Sequence, residues 1–97
     1  MTTKLYDYDM AKHLRTSEEM AAYLEAAIEE SDGDAGFIAK ALGDIARAKG
    51  MAEPSRETGL GRESLYKALS SEGNPQLSTV LKVAKALGLQ LHVKPAA

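Results

Sequence analysis

Residues 51–69 read MAEPSRETGLGRESLYKAL, two short amphipathic segments that meet at Gly59. Glycine adopts a positive φ without steric cost, so this residue is the expected hinge of a tight turn between two helices. On the far side of the turn Leu60 is expected to plug a core. Leu65, Ala68 and Leu69 then repeat at spacings of three and four and form an inward face. Arg62, Glu63, Ser64, Tyr66 and Lys67 remain on the outward side. In the first segment, Ala52 is a poor N-cap, and Pro54 is acceptable only in a first helical turn, where its missing N–H has no partner to lose.

Working outward, the flanking sequence reads as helix on both sides. Thr16 followed by Ser17, Glu18 and Glu19 is a capping box that opens a helix over residues 17–30. Its face is Met20, Tyr23, Leu24, Ala27 and Ile28. A short helical turn is expected over residues 9–14. SDGD at 31–34 breaks the helix and supplies Asp34 as the next N-cap. From Ala35 to Lys49 the stripe Phe37, Ile38, Ala41, Leu42, Ile45 and Ala46 predicts a second helix, ended by Lys49 and a left-handed cap at Gly50. After Asn74 and Pro75, the residues Leu77, Val80, Leu81, Ala84 and Leu87 form a further stripe that stops at Gly88. The period then changes to two. In LQLHV, residues 89–93, Leu89, Leu91 and Val93 alternate with Gln90 and His92 and predict a strand. One strand alone is not stable, so pairing with a second copy is expected, with Leu89, Leu91 and Val93 as dimerisation residues.

With 97 residues, 44% of them hydrophobic, the chain suits one small domain with an extension. It divides into a leader and helix over 1–33, a helical domain over 34–88 and a C-terminal strand and tail over 89–97. Cysteine is absent, which excludes disulfides and thiolate chemistry. No signal peptide and no membrane span are read, and a cytoplasmic protein is expected. His13 and His92 stand alone, without metal-ligand spacing, and GLG at 59–61 lacks the remaining features of a phosphate loop. No catalytic residue, metal or cofactor is therefore assigned. The pairs Glu18, Glu19 and Glu29, Glu30 read as solvated helix faces.

The net charge of −2 conceals a division along the chain. Residues 1–46 carry four cationic side chains against ten acidic ones, whereas residues 47–85 carry seven against four. The second half is mildly basic, as a nucleic-acid contact requires, although a solvated face of this charge is equally common. Two short helices around a hinge, set between longer helices, is also the arrangement of four-to-five-helix DNA-binding domains. In such domains the first turns of the second short helix read base edges. Arg62, Glu63 and Ser64 fall there, and Lys67 one turn later. In a rival reading these are plain surface charges, with Glu63 and Lys67 paired at i, i+4 and Tyr66 packed under the following loop.

GLGRESLYKALS followed by EGNPQLSTVLKVAKALGLQL resembles the antidote proteins of type II toxin–antitoxin modules, HigA-like chains with an XRE-type, lambda-repressor-like helix-turn-helix. FIAKALGDIARAKGM resembles the helix before that motif, and KLYDYDMAKHLRTSEEMAAYLEAAIEE the leader. The resemblance implies an all-α fold, a lambda-repressor-like bundle with an N-terminal helical extension, here followed by the short strand. It also implies a small, basic RelE/ParE-like toxin as partner, a homodimer, and repression of its own operator DNA. Candidate DNA contacts are Ser55, Arg56, Arg62, Glu63, Ser64, Tyr66 and Lys67. Tyr6, Tyr8 and Tyr23, beside an acidic stretch, are candidates for the toxin contact, with packing of the leader onto the bundle as the rival role. The sequence departs from the family at Ala52, Glu53, Pro54 and Ser55, where Ser or Thr, Gln, an apolar residue and Ala are more usual. Glu53 near a phosphate repels it, so weakened DNA binding is expected. A stand-alone regulator, or an interaction module that no longer binds DNA, are the alternatives.

Overall fold

The computed structural model describes residues 14–96, which form five α-helices and, among the described residues, no strand. They are α1 (Ser17–Ser31), α2 (Ala35–Lys49), α3 (Ala52–Thr58), α4 (Arg62–Ala68) and α5 (Leu77–Ala86). α1 lies chiefly against α2, and α3 against α5. Of the turn expected over residues 9–14, only Leu14 is described, and it is a buried, non-helical residue of the core. Tyr6, Tyr8 and His13 lie outside the described residues.

Local chemistry explains most helix ends. Thr16 and Glu19 close the capping box, with the Glu19 amide donating to Thr16 Oγ1 at 3.1 Å and the Thr16 amide donating back to Glu19 Oε1 at 3.1 Å. Asp34 Oδ1 accepts from the Gly36 amide at 3.0 Å and starts α2. Gly50 has the positive φ expected of it, 129°, although its ψ of 139° places it outside the left-handed helical region. The expected role of Lys49 changes more. Its ammonium donates to the Leu87 carbonyl at 3.1 Å and so caps the end of α5, the distant helix, rather than its own.

One core joins Leu24, Leu42, Ile45, Leu65, Leu69, Val83 and Leu87 across all helices but α3, which adds the fully buried ring of Pro54. Pro54 sits third in α3, within the first turn, where the proline ring costs no helical hydrogen bond. Several residues of the expected stripes stand at the margin instead. Phe37 is 42% exposed and Leu77 70%, and Ile28 and Leu81 are also exposed. A stripe defines a helix face, but neighbouring helices decide how much of that face is covered.

α2 approaches the C-terminal end of α4 closely enough that a side chain is excluded. A Cβ on Gly43 would stand 2.3 Å from the Leu69 carbonyl oxygen, and one on Gly36 2.1 Å from that of Ser71. The obstacle is backbone, which cannot rotate away. Gly43→Ala should therefore destabilise the fold by about 1–3 kcal/mol despite the better helix propensity of alanine, measured by urea denaturation.

The C-terminal strand does not form in the single chain. Residues 89–93 lack a ladder, since antiparallel or parallel pairing needs a second strand and the described residues supply none. Leu89 belongs to the chain's own core, while Leu91 is exposed and Val93 fully so. The three residues expected on one dimer face thus divide between interior and surface.

Candidate nucleic-acid interface

The turn between α3 and α4 is held by side chains as well as by Gly59. Gly59 adopts φ 76° and ψ 4°, and its amide donates to the Ser55 carbonyl at 3.0 Å. Ser55 Oγ donates to the Leu60 carbonyl at 2.5 Å, and Thr58 Oγ1 donates to the Pro54 carbonyl at 2.8 Å while accepting from the Leu60 amide at 3.2 Å. Leu60, so fastened, packs against the core. Ser55 is therefore a brace of the turn, half-buried, and its hydroxyl proton is already committed.

Gly61, with extended backbone, precedes α4 without a side-chain cap, so the first amides of the helix have no capping partner. Leu65 and, just past its end, Leu69 are fully buried. Because they anchor one face, Arg62, Glu63, Ser64 and Lys67 are placed together on the exposed face. Among the described residues none of these four side chains is in a hydrogen bond or ion pair, so the expected Glu63–Lys67 pair is not formed. Lys67 keeps its charge available.

Tyr66 is partly exposed and held by a cation rather than free in water. The residue is 39% exposed and the Arg47 guanidinium sits 5.0 Å from its ring centroid, a cation–π contact between α2 and α4. Arg47 in turn is 3.8 Å from Asp44 Oδ1. This contact was not legible from sequence, because a pair 19 positions apart has no periodic signature. Arg56 is engaged as well. It is paired with Glu53 one turn earlier on α3, so the carboxylate that departs from the usual Gln also occupies the neighbouring guanidinium. The seven candidate contacts thus separate into four free residues on α4, a ring held by Arg47, a paired Arg56 and an inward-bound Ser55.

A family model described as "Probable addiction module antidote protein" matches residues 4–95. The chain belongs to this antidote family. It is 49% identical over 94 residues to an uncharacterized protein of Haemophilus influenzae, an alignment covering 97% of this chain and 95% of the relative. No solved structure matches the chain. An antidote implies a toxin as partner. Among the described residues no helix is long and apolar enough to cross a membrane.

Proposed function

We propose that this chain is the antitoxin of a type II toxin–antitoxin module, which binds and neutralises a small basic RelE/ParE-like toxin and represses its own operon through an XRE-type, HigA-like helix-turn-helix. The observation that carries the DNA-reading half is the exposed, unpaired group Arg62, Glu63, Ser64 and Lys67 on a helix whose other face is locked by Leu65 and Leu69. Short polar and cationic side chains in the first turns of such a helix reach base edges, and Lys67 one turn on reaches phosphate. Tyr66, steadied by Arg47, presents its hydroxyl from the same helix. In this role α3 crosses the backbone and α4 enters the major groove. The protein acts in the cytoplasm and needs no cofactor.

Glu53 weakens that interface twice over, by its own charge and by its hold on Arg56. Glu53→Gln frees the guanidinium and removes a repulsion. Affinity for DNA from upstream of its own gene should rise about threefold to tenfold, with the steeper salt dependence of one added phosphate contact. Unchanged affinity in an anisotropy titration would place Arg56 away from DNA.

Repression requires two half-sites, and a homodimer supplies them. The segment after Leu89 carries Leu91 and Val93 on its surface with backbone groups unpaired in a ladder, which suits antiparallel pairing with a second copy. Sedimentation should give a dimer for the full chain and a monomer after removal of residues 90–97, which spares the core residue Leu89. A monomeric full chain would contradict the dimer.

Toxin binding is assigned to the leader residues Tyr6 and Tyr8 together with Tyr23. Co-expression with the product of the gene beside its own tests the role as a whole: growth arrest relieved by this chain supports it, and arrest unrelieved opposes it.

A further inference from the structure

A groove runs between α1 and α2, with Tyr23 and Ala27 on one side and Phe37 and Ala41 on the other. It is large enough, at about 380 Å³, for one or two bulky side chains. Three of its polar side chains, Tyr23, Lys40 and Asp44, are already engaged with one another. Tyr23 donates to Asp44 Oδ2 at 2.7 Å, and Lys40 donates to the same oxygen at 3.3 Å. What remains open is the apolar wall, where Phe37, the chain's single phenylalanine, is 42% exposed. A half-open aromatic beside a groove is the kind of surface that a partner completes.

Charge identifies the occupant. Among the described residues Glu30 stands at the rim without a partner, while the groove's one cation, Lys40, is engaged by Asp44. Over residues 16–39 the sequence holds seven carboxylates and no Lys, Arg or His. Three of these, Glu29, Glu30 and Asp32, lie at the C-terminal end of α1, which has no basic residue in its last turn. That arrangement opposes the helix dipole and costs the helix stability, since cations are favoured there. Residues that break a local rule without a compensating contact mark surfaces selected for something other than folding. Such a rim repels nucleic acid, and in an isologous contact it repels a second copy of this chain. A cationic protein surface is what it complements.

We propose that the α1–α2 groove is the seat of the toxin, which enters it with an apolar side chain against Phe37 and sets Lys or Arg side chains against Glu29 and Glu30. This rests on the antitoxin reading given above. It places Tyr23 in the contact as a wall of the groove and locates the contact within the helical bundle, beyond the leader.

The test is isothermal titration of the full chain with the purified product of the gene beside its own. It compares wild type, Phe37→Ser and Glu29→Lys/Glu30→Lys. Both glutamates are exposed and their replacement by Lys favours the end of α1, so the charge variant stays folded whatever Phe37→Ser does. Each variant should bind the toxin about tenfold more weakly or worse, and the charge variant should lose most of the salt dependence of binding. Variants that bind as wild type would overturn the groove alone. A wild-type chain that does not bind would overturn the groove together with the antitoxin reading.

Discussion

Leu65→Ala should lower folding stability by about 2–5 kcal/mol, the cost of emptying a fully buried leucine site whose surroundings relax only in part. Leu65 is the buried residue of α4, and it belongs to one core cluster with Leu42, Ile45 and Leu69, all fully buried. A domain of this size is held by only about 5–15 kcal/mol, so the loss is a large fraction of the whole. The melting temperature should fall by roughly 8–40 °C, with an unchanged denaturant slope if unfolding stays two-state. Because α4 is a seven-residue helix, too short to persist without its packing, DNA affinity should fall with it. A loss under 1 kcal/mol would mean that α4 does not depend on this core.

Arg62→Ala/Lys67→Ala is the complementary case, a large effect on binding with almost none on folding. Both side chains are exposed and neither has an ion pair among the described residues, so their removal leaves no buried group unsatisfied. If Arg62 reads a guanine edge and Lys67 a phosphate, the pair contributes about 2–4 kcal/mol, roughly 30-fold to 1,000-fold in affinity. The dependence of affinity on salt should become shallower by about one phosphate contact. A thermal melt matching wild type, alongside this loss, would assign the two residues to DNA and not to the fold.

What could be read from the sequence was decided within a few residues. The Thr16–Glu19 capping box, the Asp34 cap, the Gly59 hinge and the first-turn position of Pro54 each depend on neighbours one turn away, and each stands as expected. The inward pair Leu65 and Leu69 followed from spacing alone. Partners distant in the chain were not legible. Nothing local tells that Lys49 caps a helix 38 residues on, that Arg47 covers Tyr66, or that α2 requires Gly43 against Leu69. Val83, fully buried in α5, fell outside the expected stripe, whereas Leu77 and Leu81 within it are exposed. Periodicity fixes the spacing of a face but not its centre, which the packing of α3 on α5 sets.

The C-terminal segment shows the same limit from the other side. Period two in LQLHV describes what a strand there would bury, but a ladder is a property of two strands, and the described residues offer it no partner. At the candidate interface, residue type placed Ser55 and Arg56 among the DNA contacts. Geometry divides them, because the hydroxyl of Ser55 reaches the Leu60 carbonyl and Arg56 is held by Glu53. The candidate residues left free are those on α4, where no described neighbour pairs with them.

Whether α4 reads sequence is decided by fluorescence anisotropy of the full chain on labelled DNA from just upstream of its own gene, over a salt series and against scrambled DNA. Selective binding that weakens linearly in log affinity with log salt, and that Arg62→Ala/Lys67→Ala abolishes, is the predicted result. Binding that does not distinguish the upstream from the scrambled sequence, or that the double variant retains, would contradict a sequence-reading α4 and leave the bundle as a scaffold for its protein partner.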